Sequence, residues 1–335
     1  MIDKTCFLPK ALVLLSGGLD SSLVVGMMLK QGIQIEAINF VTPFCTCTRG
    51  SGCRLAAKTA ALKFGVPLKV LSIGREYIEI IKNPKYGYGK NMNPCIDCRI
   101  LIFKKAKEYM KKANASFIVT GEVLGQRPMS QHLRAMKIIE EESGLSSLVL
   151  RPLSARLLEP TLPEKEGLVN REELLNIFGR GRKPQMQLAE LFGLKDYPCP
   201  AGGCLLTDPA FARRMADLLK FTKTPTLNDI QLLKIGRHFR LGDITKVIVG
   251  RNEQENKRLL ALFKEKDINL AAEGDKGGPV TILRGKANRN DLLSAAAICA
   301  RYSDDKGKHG IRAMLSQEIL NPSPISEKEL ERLRI

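Results

Sequence analysis

Long apolar runs are missing from this chain of 335 residues. The longest early one, Ala11 to Leu15, is too short for a membrane span or a signal-peptide core, and Asp3 and Lys4 stand before it. A cytoplasmic protein without a membrane partner is expected. Histidine is scarce at 3 residues, and His132 and His309 stand apart from other ligand types, so they read as structural or surface residues rather than catalysts. The chain also has no internal repeat and no low-complexity tract, which excludes a repeat architecture.

Acidic residues are in deficit. Lys and Arg number 53 against 35 Asp and Glu, a net charge of +18, and an excess of that size favours a polyanionic partner, nucleic acid first. Cysteine is well supplied at 9. An odd number, without a secretion signal, argues against a disulfide framework and for thiolate, redox or metal chemistry.

Ala11 to Leu15 reads as a strand that runs directly into Ser16-Gly-Gly-Leu-Asp-Ser-Ser22, with Leu23 to Lys30 as the following helix. Strands at Ile35 to Val41, Leu68 to Ile73 and Ser116 to Thr120 alternate with helices at Cys53 to Phe64 and from Asn93-Pro94 to about Ala113. Such alternation predicts an α/β fold, a parallel sheet covered on both faces. Prolines at 152, 160, 163 and 184 and the basic cluster from Gly179 to Lys183 predict an irregular appendage. Beyond a linker at Phe221 to Thr226, a smaller α+β module is expected, with loose final residues. The expected domains are 1–175, 176–220 (a basic, cysteine-bearing appendage) and 221–335.

A glycine turn between a buried strand and a helix aims backbone N–H groups and the positive helix end at one spot, a natural seat for phosphate. The Gly-Lys-Ser/Thr ending of a Walker A loop is absent, which disfavours γ-phosphate transfer. The whole heptad instead resembles the pyrophosphate loop of the PP-loop ATPase superfamily, whose members cleave ATP to AMP and pyrophosphate. By that resemblance Ser16, Gly17, Gly18, Ser21 and Ser22 hold the leaving pyrophosphate, Asp20 positions Mg²⁺, and Asn39 and Phe40 lie near the adenosine. Adenylation would turn a carbonyl oxygen, a poor leaving group, into AMP, which a sulfur nucleophile can displace.

Asn93-Pro-Cys-Ile-Asp-Cys98 puts two thiols on one face of a helix's first turn, where the helix dipole favours thiolate. Pro198-Cys-Pro-Ala-Gly-Gly-Cys204 supplies a third, either Cys199 or Cys204, and Gly202-Gly203 favours Cys204. Three cysteines can hold a [4Fe–4S] cluster with one iron open for sulfide. A persulfide on one cysteine, resolved by a second as a disulfide, needs the same residues close together. The cluster is the preferred reading, with Cys95, Cys98 and Cys204 as ligands. Cys45, Cys47 and Cys53 form a second group, read as accessory, and Cys6 and Cys299 read as packing residues.

The loop, the Asn-Pro-Cys-x-x-Cys segment, and Thr120-Gly-Glu-Val-Leu-Gly-Gln126 followed by Met129-Ser-Gln131 together resemble the tRNA thiolation enzymes. The likeness is to the 4-thiouridine synthases and their 2-thiouridylase relatives over roughly residues 8 to 215. It implies ATP and Mg²⁺ as cofactors, with Thr120 and Gly121 in the ATP site. It also implies tRNA as substrate and a sulfur donor, a cysteine desulfurase persulfide or sulfide; a homodimer is a further expectation. The 4-thiouridine product is slightly favoured. The chain departs from the family in showing no RNA-capturing extension before the loop domain and no rhodanese-like carrier after it.

Leu233 to Leu241 and Val247 to Glu253 look similar to the RNA-binding domain of the NFACT group. RNA phosphates are expected at Arg180, Arg182 and Lys183 of the appendage, and at Lys234, Arg237, His238, Arg240, Arg251, Arg284 and Lys286 of the module.

Overall fold

The computed structural model describes residues 9–45, 53–194, 197, 203–273, 277–306, 308–314 and 316–335. The chain divides into two compact units, Met1–Thr207 and Asp208–Ile335. Among the described residues no helix is long and apolar enough to cross a membrane.

The first unit runs β1 (Lys10–Leu14), α1 (Leu19–Lys30), β2 (Gln34–Val41), α2 (Cys53–Phe64), β3 (Leu68–Ser72), α3 (Arg75–Lys82), α4 (Cys95–Lys112), β4 (Phe117–Thr120), α5 (Leu133–Ser143), β5 (Val149–Leu150), α6 (Leu162–Lys165) and α7 (Lys183–Leu191). The strands form a parallel sheet in the order β3-β2-β1-β4-β5. β1 is apolar throughout its buried part because both of its faces are covered. Ala11 and Val13 join a core with α1, α2 and α7, whereas Leu12 and Leu14 join another with α4 and α5. The strand order reverses between β1 and β4, and in such sheets ligands bind at the carboxyl ends of the strands at that point.

Helix α1 begins at Leu19, four residues earlier than the composition suggested, so Asp20, Ser21 and Ser22 occupy its first turn. The 176–194 stretch is docked by a bridge between Leu124 and Phe178 and by Phe192, whose ring would lie 3.1 Å from a Cβ at Gly26 of α1.

The second unit starts at α8 (Pro209–Phe221) and continues through α9 (Leu227–Leu232), β6 (Arg237–Leu241), β7 (Thr245–Val249), α10 (Glu253–Ala261), β8 (Ile268–Ala272), β9 (Thr281–Arg284), α11 (Arg289–Tyr302), β10 (Ile311–Ala313), β11 (Glu318–Leu320) and α12 (Glu327–Leu333). Its sheet has the order β11-β10-β8-β9-β7-β6, with antiparallel pairing. The unit starts before the linker that the sequence suggested at 221, because Asp217 of α8 accepts from Arg240 and Lys246 of the sheet. The expected loose end is ordered instead. Leu330 is in the core and Ile335 N donates to His238 O at 3.0 Å.

Candidate functional site

At the carboxyl end of β1, Gly17 has φ +80°, and a Cβ there would lie 2.4 Å from Ala57 N of α2. Only glycine combines that conformation with that approach. Ser21 and Ser22 hydroxyls donate to Gly18 O at 2.9 and 3.1 Å, and Ser16 Oγ lies 3.0 Å from Ser21 Oγ. The hydroxyls are thus gathered at the helix start. A Cβ on Gly121, just after β4, would stand 2.5 Å from the Asp20 carbonyl carbon, so the end of β4 presses on the first turn of α1. Thr120 is buried beside it, and its hydroxyl accepts from Glu122 N at 3.1 Å. Asn39 is buried at the end of β2 and donates to Leu15 O at 2.8 Å; Phe40 follows it, partly buried.

Asp20 Oδ2 accepts from Gln126 Nε2 at 3.1 Å and pairs with Arg182 at 3.5 Å. Its Oδ1 and the Oδ1 of Asn39 are buried without a hydrogen-bond partner. Buried acceptors at a strand-order reversal call for a donor or a cation, and a carboxylate oxygen there suits Mg²⁺. Arg182, expected among the RNA contacts, is placed at the loop instead, because the docked 176–194 stretch carries it to Asp20.

A group of thiols gathers at the same edge of the sheet. Cys95 and Cys98 open α4, Tyr77 is on α3 after β3, and Cys45 follows β2, where it forms an isolated antiparallel bridge with Cys204. The buried Tyr77 hydroxyl hydrogen-bonds Cys98. Burial first, and then coupling to the neighbouring Cys98, Cys204 and Cys95 thiols, raises the phenol well above its ordinary range. Burial pushes the Cys98 thiol up to about 12 despite the Tyr77 hydrogen bond, and Cys204 up to about 11. Buried thiols of this kind are held protonated until a charge or a reaction partner arrives. Cys95, Cys98 and Cys204 therefore share one environment. Cys45 shares it too, against the expectation that it belonged with Cys47 and Cys53. Cys53 opens α2; Cys47, Cys6 and the alternative third thiol Cys199 lie outside the described residues. Cys299 is buried in the second core, as its packing role requires.

Among the described residues, no three His, Cys, Asp or Glu side chains are grouped to hold a metal ion. The Tyr77 hydroxyl instead stands among the thiols. The preferred [4Fe–4S] ligand set, Cys95, Cys98 and Cys204, is grouped around that hydroxyl.

The thiols and the loop are joined by a buried ionic network that the sequence reading missed. Arg99, next to Cys98, donates to Glu122 Oε1 at 2.5 Å, and Arg151 Nε donates to Glu122 Oε2 at 3.1 Å. Arg151 also pairs with Glu140. Burial alone would raise the Glu122 carboxyl, but the two guanidinium charges outweigh it and hold it below the usual carboxylate range. Glu122 follows Gly121, so one chain of contacts runs from Cys98 through Arg99 and Glu122 to the backbone beside Asp20. The only local signals were a charge beside CxxC and the acid of Thr-Gly-Glu, neither of which identifies its partner.

The basic residues named from the sequence have different fates. Arg284 donates to Asp229 and Asp267 at 2.7 and 2.6 Å, and Arg240 to Asp217 at 2.5 Å. Arg251 pairs with Glu255, and Arg237 lies over the Tyr302 ring at 4.3 Å. Lys234 is partly buried, and His238 is buried with Nε2 2.7 Å from Ile235 O. Arg180, Lys183 and Lys286 are exposed. An exposed lysine is available to a phosphate, whereas Arg284 closes the strand–helix junction. R284A should therefore cost about 3 kcal/mol of second-unit stability, the scale for leaving buried charges unpaired. K286A should leave chemical unfolding unchanged, while weakening binding of a nucleic-acid backbone and reducing the salt slope of that binding by about one. Denaturant titration and salt-dependent binding check both.

Residues 8–156 match the family model for the thiamine biosynthesis protein ThiI, and residues 236–332 that for the NFACT protein RNA-binding domain. A probable tRNA sulfurtransferase of Anoxybacillus flavithermus is 32% identical over 146 residues, 43% of this chain and 35% of its own length. One from Ureaplasma parvum is 31% identical over 191 residues, 56% of this chain and 45% of its own. The chain thus spans less than half the length of these curated relatives. The crystal structure of a 4-thiouridine synthetase–RNA complex with bound ATP aligns with a TM-score of 0.37 at 22% identity, over 67% of this chain and 52% of that one. Residues 8–156 are thus similar to the ThiI family, and residues 236–332 to the NFACT RNA-binding domain.

Proposed function

We propose that the protein is an ATP-dependent tRNA sulfurtransferase that adenylates a uridine carbonyl and replaces the oxygen with sulfur, forming 4-thiouridine. The observation that carries this reading is the placement of the pyrophosphate loop and the thiols on one carboxyl edge of the sheet, joined through Arg99 and Glu122. ATP is seated with its phosphates at Ser16 to Ser22, where the helix start and backbone N–H groups favour negative charge. Mg²⁺ would be held by Asp20 and would screen the triphosphate. Arg182, which pairs with Asp20, is placed to donate to a phosphate oxygen.

The base oxygen attacks the α-phosphorus, pyrophosphate leaves, and a sulfur carried by the Cys95, Cys98 and Cys204 group displaces AMP. The exposed Arg180, Lys183 and Lys286 hold the tRNA backbone, which is the coulombic use of the +18 net charge. Cytoplasmic tRNA is the substrate pool, and a persulfide or sulfide donor replenishes the thiols.

Nucleoside mass spectrometry of tRNA from a deletion strain tests the assignment. A thiouridine should vanish, return with the wild-type chain and stay absent with D20N, which removes the carboxylate but keeps its shape. Unchanged thiouridine in the deletion strain would sink the reading.

A further inference from the structure

We propose that Cys45 and Cys204 form a reversible disulfide, with Cys45 the thiol that resolves Cys204 after sulfur transfer. The backbone carries the argument. Cys45 and Cys204 face each other across an antiparallel bridge, and Leu205 N donates to Phe44 O at 2.8 Å. That hydrogen bond joins the residue after Cys204 to the residue before Cys45, the pattern of the narrow, non-hydrogen-bonded antiparallel pair. In such pairs the Cα atoms are about 4.5 Å apart and the side chains lie on one face. A disulfide spans Cα separations of about 4.4–6.8 Å, so the two sulfurs can join without moving either segment. Both residues are in the thiol form. Among the described residues no such bridge pairs Cys95 or Cys98 with Cys204; their segments are tied instead by Met92 N donating to Leu206 O at 3.2 Å.

The role within turnover rests on the sulfurtransferase reading. Cys204 bears a persulfide received from a sulfane-sulfur donor. Its terminal sulfur attacks the adenylated carbon, the C–O bond to AMP breaks, and AMP leaves with the electron pair. The base is then bound to Cys204 through an S–S bond. Cys45, losing its proton to solvent, attacks Cys204 Sγ; the S–S bond to the base breaks and its electron pair stays on the base sulfur. The product is thiouridine plus a Cys45–Cys204 disulfide. The sulfane sulfur has been reduced by two electrons and the two cysteines oxidised by two. A dithiol reductant then restores both thiols.

Two measurements on the full chain decide it. In the first, the reduced protein is equilibrated in glutathione buffers of rising oxidised fraction, alkylated and mapped by peptide mass spectrometry. Cys45 joined to Cys204 is the expected first disulfide. Cys95 joined to Cys98, or Cys204 joined to Cys47 or Cys199 with Cys45 alkylated, overturns the pair.

In the second, ATP, Mg²⁺, an unmodified tRNA transcript and cysteine persulfide are supplied without a dithiol. The wild type should make about one thiouridine per chain and stop as the disulfide, while C45S makes about tenfold less and dithiothreitol restores it. Equal yields from the two proteins without dithiothreitol, or turnover that leaves both thiols alkylatable, overturns the resolving role. No thiouridine from the wild type even with dithiothreitol sinks the sulfurtransferase assignment instead, while the glutathione titration still decides the disulfide.

Discussion

Gly121→Ala should lower the proposed ATP cleavage about a hundredfold or more while leaving the protein folded. A Cβ at this position would stand 2.5 Å from the Asp20 carbonyl carbon and 2.6 Å from Asp20 O and Ser21 N, all backbone atoms of the first turn of α1. Backbone cannot rotate away as a side-chain tip can, so the end of β4 and the pyrophosphate loop must separate by several tenths of an ångström or more. Misplacement of reacting groups by about 1 Å costs about a hundredfold in rate, and a loss of that size or greater is expected in the AMP release that the proposed reaction requires. Gly17→Ala should act in the same direction through positive φ and the approach to Ala57 N. AMP release measured beside far-ultraviolet circular dichroism separates the two cases. A folded Gly121→Ala protein with wild-type turnover would show that the strand end and the loop are not held against each other during the reaction.

Arg151→Met should be the most destabilising change in the first unit. Arg151 is buried between Glu122 and Glu140, and its removal strands Glu122 with Arg99 as its remaining partner, in a site where burial opposes ionisation. Breaking a buried pair by deleting one partner costs about 3–5 kcal/mol, and the melting temperature should fall accordingly. The pH dependence follows from the direction of the shift. Glu122 is held below the unfolded carboxylate range, so the folded state releases its proton more readily than the unfolded chain. Its stabilising contribution is complete above the unfolded value of about 4.3 and is lost as pH falls through the lowered folded value. Wild-type stability should therefore drop more steeply below about pH 4 than that of Arg151→Met, in which the carboxyl has lost one of its two guanidinium partners. Urea unfolding at a series of pH values reads this directly, and parallel curves for the two proteins would show that the network does not set the carboxyl's ionisation.

The sequence by itself determined the elements whose cause is local. An apolar strand leading into a glycine turn and helix marked the loop, and the turn needs Gly17 for a backbone reason that no distant residue supplies. The alternation of strands and helices fixed the parallel class of the first unit, and Asn252 capping Glu255 N at 3.0 Å marked the start of α10. The Cys-x-x-Cys spacing marked the opening of α4.

Tertiary structure alone decided which charges and thiols meet. Arg182 and Arg284 are equally basic letters, yet one reaches Asp20 across 162 positions and the other closes on Asp229 and Asp267. Cys45 sits opposite Cys204 rather than with its chain neighbours because the end of β2 and the segment before α8 pair as antiparallel backbone. Periodicity and turn chemistry act over a few residues and are written in order along the chain. Ion pairs, thiol groupings and buried acceptors depend on distances between segments far apart in sequence, which the packing of the sheet and its helices sets.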